Sequence, residues 1–313
     1  MKQVVLKVDV DTYHGTLQGV PALLELFARF NVKATFLFSV GPDNTGRAIR
    51  RIFRKGFLQK VGRTSVVSHY GIRTLMNGVL KPGPNIGKRA GHIMRQAAAA
   101  GHEVGIHCYD HVRWQDFVTG KGADWTRREM EKGLESFKSA LNMAPQTIGA
   151  AGWQLNRHVI GLEAQMGFAY ASDVRGYQPF LPTMEGQRSS CVQLPTTLPT
   201  LDEIIGSDGI DSSNCWQTIL EKSRDELPNG HVYTLHAELE GMKLMPAMEK
   251  LLEQWQQAGF KCVTLKQLNA SLDKSKLPEC EIEMGELEGR SGVLALQAAR
   301  ALPAKTDRTG DSH

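Results

Sequence analysis

The chain of 313 residues is 41% hydrophobic and 22% charged, a globular balance that excludes a fibrous or disordered protein and supplies material for a sizeable core. No run of about 18 uncharged apolar residues occurs, which argues against a membrane-spanning helix, and the amino terminus enters a strand-like run with no secretory h-region before it. The net charge of +4 hides an asymmetry: from Asn44 to His102 there are twelve Lys or Arg and no Asp or Glu, so one face is expected to meet something anionic.

Along the chain, short strand-like runs alternate with helical ones. Val4–Val8 reads as a strand, Val20–Phe30 as an amphipathic helix, and Ala34–Ser39 as a second buried strand ended by Gly41-Pro42. The basic segment follows and is too long for a simple connection. Helix Arg89–Ala100, strand Glu103–His107, helix Thr126–Leu141, strand Thr147–Ala150, helix Asn156–Met166 and strand Phe168–Ser172 continue the pattern. Strand Val192–Leu194, helix Trp216–Glu226, strand His231–His236, helix Pro246–Gln257 and strand Lys261–Leu265 complete it. This is an α/β fold with a parallel sheet, either a closed barrel or doubly wound, in which working groups sit at the C-terminal strand ends. Beyond about Lys274 the alternation is lost; a short helix is expected over 292–302 and disorder over the last ten residues. A single catalytic domain is expected over 1–272, with a basic insertion at about 44–88 and a partly disordered tail over 273–313. Five cysteines, odd in number and without CxxC spacing, point to reduced thiols and a cytoplasmic location.

The polar residues meet the strand-end test. Asp9 and Asp11 close the first strand on one face, where two like charges need a cation or a shared proton. His107 and His111, four apart in HCYDH, suit a single divalent metal on one side of a helical turn. Two imidazoles and one carboxylate leave open positions, as a catalytic site requires. One aspartate then ligates the metal and the other stays free to take a proton from water. Asp110 reads as a cap, and Cys108 shows no sign of a nucleophile pair. His236, ending HVYTLH, is the natural general acid for a leaving amine. Asp173 and Arg175 in SDVRG are candidates for an ion pair that positions the base or a substrate phosphate. No GxGxxG or P-loop appears.

In this order, Asp-x-Asp, HxxxH, DVRG and the late Leu-His resemble the polysaccharide deacetylase family. The resemblance implies a distorted (β/α) barrel of about seven strands and metal-dependent N-deacylation of sugars. It assigns Asp9 as base, Asp11, His107 and His111 as metal ligands, and His236 as general acid. The metal is one divalent ion, with Zn, Co, Mn and Fe not distinguished. The family's middle motif normally carries an Arg that holds the base; GAAGW (149–153) has none, and Arg175 is the candidate substitute. The stretches VDVDTYHGTLQGVP, ATFLFSVGPDNTGRAIRRIF and GIHCYDHVRWQD are similar, more narrowly, to family members that deformylate a formamido-arabinose linked to undecaprenyl phosphate, over roughly residues 1–272. That similarity implies a lipid-linked substrate whose amine product serves lipid A modification and polymyxin resistance, and a peripheral position on the cytoplasmic face of the inner membrane.

The basic segment agrees with this reading. In GRAIRRIFRKGFL (46–58) Ile49, Ile52, Phe53 and Phe57 form one stripe, with Arg47, Arg50, Arg51, Arg54 and Lys55 around it. Ile49, Arg50, Phe53, Arg54 and Phe57 are therefore expected to face an anionic membrane surface. The alternatives are a deacylase of a soluble sugar or ureide, and an anionic-surface or nucleic-acid binding module with a structural metal. Aromatic residues are sparse in the basic stretch, so no nucleic acid is expected, and structural zinc usually takes four ligands including cysteines.

Overall fold

The computed structural model describes residues 2–48, 83–207 and 209–301. Its centre is β1 (Gln3–Val10), in which every residue from Val4 onward is buried. Such a strand, buried on both faces, belongs in the middle of a parallel sheet covered on both sides. The other strands follow in chain order: β2 (Thr35–Ser39), β3 (Glu103–Cys108), β4 (Thr147–Ile148), β5 (Tyr170–Ala171), β6 (Leu181–Met184), β7 (Gln187–Arg188), β8 (Val192–Gln193), β9 (His231–His236), β10 (Lys261–Val263), β11 (Glu279–Glu286) and β12 (Val293–Ala301).

Seven of them form a parallel series, β9-β1-β2-β3-β4-β5-β8. One edge of β1 takes β9 along its length; the other is shared, with β10 beside Gln3–Val5 and β2 beside Lys7–Val10. Between β8 and β9 no strand ladder closes the ring. Instead the segment after β8 reaches across: the amides of Thr197 and Leu198 donate to the Val232 carbonyl, and the hydroxyls of Thr196 and Thr234 lie 2.7 Å apart. The result is the expected distorted (β/α) barrel of about seven strands. Gly105 shows how tightly it is wound, since a Cβ there would fall 2.6 Å from Thr147 and 2.8 Å from Leu37.

Helices pack outside. The expected Val20–Phe30 helix is α1 (Val20–Arg29); α2 (Ile86–Ala99) starts at the active edge, where its first amides donate to Val40 and Gly41 carbonyls. α3 (His111–Phe117) and α4 (Ala123–Leu141) follow β3, α5 (Arg157–Gln165) precedes β5, and the single turn α6 (Leu201–Ile204) follows β8.

The short helix expected over 292–302 is a strand. Val293–Ala301 pairs antiparallel with β11, which pairs parallel with β6 to give a second sheet, β12-β11-β6-β7. Leu and Ala there favour a helix locally, but pairing overrides propensity. The backbone of β12 also clasps Arg175, whose amide donates to Ala295 and whose carbonyl accepts from Gln297. The last residues, and the stripe carrying Ile49, Arg50, Phe53, Arg54 and Phe57, lie outside the described residues. All five cysteines are free, and among the described residues no helix is long and apolar enough to cross a membrane.

Candidate active site

Asp9, Asp11, His107 and His111 converge at the C-terminal ends of β1 and β3. His107 Nε2 lies 3.3 Å from Asp11 Oδ1, and His111 Nε2 lies 3.4 Å from Asp11 Oδ2. The two histidines do not share a helical turn, as their spacing led us to expect. His107 ends a strand and His111 opens α3, whose N-cap is Asp110 accepting from the Arg113 amide. The chain reverses between them, and their ring centroids come within 5.3 Å.

The donor set fits a divalent cation. One ligand atom each from Asp11, His107 and His111 falls within 4.8 Å of the others. His107 Nδ1 faces the Gly149 carbonyl at 2.7 Å, and donating there leaves the Nε2 lone pair turned toward Asp11. A lone pair opposite a carboxylate is unfavourable unless a proton or cation lies between them. Asp11 Oδ1 is buried and has no hydrogen-bond donor. Although burial alone would raise the Asp11 pKa, His111 and His107 hold it well below the carboxylate range. Burial likewise disfavours a charged His107, yet Asp9 and Asp11 together raise its pKa. The cluster favours positive charge between the rings.

Asp9 borders this trio, its Oδ1 4.0 Å from His107 Nδ1, and has a cation of its own. Its Oδ2 lies 3.4 Å from Lys7 Nζ, while its buried Oδ1 has no hydrogen-bond partner. Lys7 has no exposed surface; its ammonium donates to the Ser172 carbonyl at 3.1 Å and stands 5.4 Å from the centre of the Trp153 ring. Arg175, the residue expected to hold the base, does not reach it. Its guanidinium pairs with Glu203 and donates to the Leu198 carbonyl. No ion pair joins it to Asp173, whose carboxylate accepts from the Ala150 amide at 2.6 Å and the Gln193 amide group at 2.7 Å. The buried cation beside Asp9 comes from its own strand, two residues back and on the same face.

His236 is brought to Asp9 by register, the two being direct partners across β1 and β9. Its Nδ1 and Asp202 Oδ1, both buried and without hydrogen-bond partners, face each other at 4.0 Å. Burial opposes the imidazolium, but Asp202 above all, then Asp11, Glu240 and Asp9, push the His236 pKa up to about 9. Two further acids brace the strand end. Glu240 accepts from the His236 amide and the Tyr233 hydroxyl. Glu238 Oε1 accepts from the amides of Asp11 and Thr12 and from the Thr12 hydroxyl, at 2.8–3.0 Å. Burial, then Asp11, raises the Glu238 pKa to about 8. Cys108 is no nucleophile: burial pushes its thiol well up, and its Sγ sits 3.3 Å from Ser39 Oγ.

Sequence reasoning missed Lys7, Asp202, Glu238, Glu240 and Arg290. A lysine between Leu6 and Val8 in a buried strand, and two glutamates shortly after a strand-end histidine in HAELE (236–240), were the legible signals. Asp202 and Arg290 had none, because a surface-like turn and a distant tail bring them in.

The fold is a distorted (β/α) barrel with a candidate metal site at its C-terminal strand ends, and a family model described as "Polysaccharide deacetylase" matches residues 2–171. The chain belongs to the polysaccharide deacetylase family. It is 39% identical over 300 residues, covering 95% of each chain, to a Shewanella sediminis (strain HAW-EB3) protein described as "Probable 4-deoxy-4-formamido-L-arabinose-phosphoundecaprenol deformylase ArnD". A protein of Wigglesworthia glossinidia brevipalpis with the same description is 33% identical over 285 residues, covering 90% of this chain and 98% of that one. The similarity thus extends past residue 272. Among solved structures, one described as a "putative polysaccharide deacetylase" from Mycobacterium smegmatis superposes with a TM-score of 0.61 at 20% identity, covering 91% of this chain and 96% of that one. That likeness is of fold.

Proposed function

We propose that the protein is a metal-dependent deformylase of 4-deoxy-4-formamido-L-arabinose-phosphoundecaprenol, hydrolysing a linear amide to formate and a sugar amine. The observation that carries the reading is the division of the strand-end carboxylates: Asp11 faces the Nε2 atoms of two imidazoles, while Asp9 is paired with Lys7 and has one oxygen without a hydrogen-bond partner. Asp11, His107 and His111 would hold the ion, which when bound polarises the formamide carbonyl and makes water a better nucleophile. Asp9 Oδ1 takes the proton from the attacking water, with Lys7 Nζ, 3.4 Å from Oδ2, holding the carboxylate in place. His236 gives a proton to the departing nitrogen, so that the amine leaves neutral rather than as an anion. Asp202 supports the ring from its other side.

The lipid-linked phosphate and an anionic membrane surface are the partners proposed for the basic segment. Support comes from its two ends, which emerge together at the active edge. Asp43 accepts from the Tyr13 amide, and its own amide donates to the Pro84 carbonyl; Asn44 donates to Asp110 and accepts from the Gly83 amide. A peripheral position on the cytoplasmic face of the inner membrane follows from that substrate. The test is formate release from the lipid-linked formamido sugar alongside pelleting with anionic liposomes. Turnover without pelleting leaves the chemistry and removes the membrane contact; no formate with the ion bound overturns the reading.

A further inference from the structure

The cluster behind the general acid is assembled from three distant parts of the chain. Asp202 and Glu203 open α6, where Glu203 Oε2 reaches back to accept from the Thr200 amide at 3.0 Å. Arg290 lies in the turn between β11 and β12. Its Nε donates to Glu203 Oε1 at 2.6 Å, one terminal nitrogen lies 3.5 Å from Asp202 Oδ2, and the guanidinium covers the Trp153 ring at 4.3 Å. Arg175 reaches the same Glu203 oxygen and stands 5.1 Å from the centre of the same ring. Trp153 and Glu203 thus form a shared anvil for both guanidiniums. The turn itself is held down, since Gly289 packs so closely that a Cβ there would lie 2.3 Å from the Glu203 carbonyl. Residues 287–289 also line, with Asp202 and Arg175, a cavity of about 720 Å³.

Asp202 therefore has one oxygen on Arg290 and the other toward His236 Nδ1. A carboxylate is an acceptor at both oxygens, and fixing one fixes the direction of the other. We propose that Arg290, delivered to the active edge by the C-terminal hairpin, is a positioning residue that holds Asp202 in register with His236. The separation of 4.0 Å between Asp202 and His236 is longer than a hydrogen bond, and such contacts commonly tighten only when substrate is in place. Glu203 supplies the fixed side of the arrangement, accepting from the Thr200 amide and pairing with both arginines.

The inference rests on His236 acting as the proton donor, and a double-mutant cycle tests it. Arg290→Gln is expected to lower kcat roughly tenfold with KM and metal content little changed, and Arg290→Lys to restore part of it. In an Asp202→Asn background the same change is expected to cost less than about twofold. Equal losses in both backgrounds, or a loss that follows metal content, overturn the proposal. A readout without substrate accompanies it: the His236 titration midpoint, followed by NMR. Arg290→Gln should shift it in the wild type and shift it by less than half as much in Asp202→Asn; identical shifts mean that Arg290 acts only as a distant charge and overturn the proposal. Should Arg290→Gln fail to fold, Arg290→Lys is read through the same cycle by the same criterion. Wild-type inactivity on the formamido sugar would count against the deformylase reading alone, with the NMR cycle still deciding on Arg290.

Discussion

Lys7 and Asp9 point the same way from one strand, and their charges meet 3.4 Å apart with almost no exposed surface on either. Removing one member of a buried pair strands the other, at a cost of about 3–5 kcal/mol. Lys7→Met is therefore expected to destabilise the protein in denaturant unfolding by an amount of that order and to abolish most turnover. Asp9→Asn should cost less stability, since a neutral amide can still accept from the ammonium. If Lys7→Met unfolds like the wild type and turns over normally, Lys7 has no part in holding the base.

The metal and base roles separate by analysis of bound metal together with formate release. Asp9→Ala is expected to retain the ion and lose turnover, whereas His107→Ala should lose both. His236→Ala should retain the ion and slow turnover roughly 10²–10⁴-fold. Loss of metal in Asp9→Ala would make both strand-end aspartates ligands.

Chelation should lower the melting temperature, because an ion that binds the folded site stabilises it by about 2.7 kcal/mol at a hundred times its Kd. The His107→Ala variant should show no such response to chelator. A chelator-insensitive wild type would argue that no resident ion contributes to the fold.

The general acid proposed for the reaction, His236, should set a falling limb on the alkaline side. A proton donor works only while protonated, and the His236 pKa is pushed up to about 9 chiefly by Asp202, against the opposing effect of burial. Activity should therefore fall as pH rises through that range. Asp202→Asn removes the carboxylate that favours the imidazolium, so the limb should move to lower pH. A limb that does not move in the pH–kcat profile would mean that another group donates the proton.

Glu238 ties the metal-ligand loop to β9 through three donors on one oxygen. Glu238→Ala leaves two buried amides without acceptors, and each is expected to cost about 1–3 kcal/mol. Weaker metal retention should accompany that loss, because the loop carries Asp11. Gly15→Ala probes the same contact sterically, since its Cβ would fall 2.0 Å from Glu238 Oε1.

The parts of the site that were legible in the sequence are those fixed by one strand and its direction. A parallel sheet presents its C-terminal strand ends on one edge, so Asp9, His107 and His236 could be placed together from periodicity alone. His111 came with His107, although a strand-to-helix junction rather than a helical turn unites them. Arg175 was misassigned because proximity in sequence to Asp173 implied a pair, whereas Glu203 on α6 offers its guanidinium a better-placed acceptor. Arg290 was invisible because VLALQAARA reads as helix until β11 lies beside it. Long-range pairing, rather than local preference, decided those residues.

Asp9 and His236 are lateral neighbours on adjoining strands, so the proposed proton acceptor and the proposed proton donor are separated by one step across a sheet, about 4.8 Å between chains. That spacing is a constant of β-structure rather than a product of loop shape. Insertions after any strand can reshape what the mouth admits, whether a polymer end, a soluble sugar or a lipid-borne one, without retuning the spacing of these two side chains. A scaffold of this kind lets substrate range diversify while the bond-breaking geometry stays inherited.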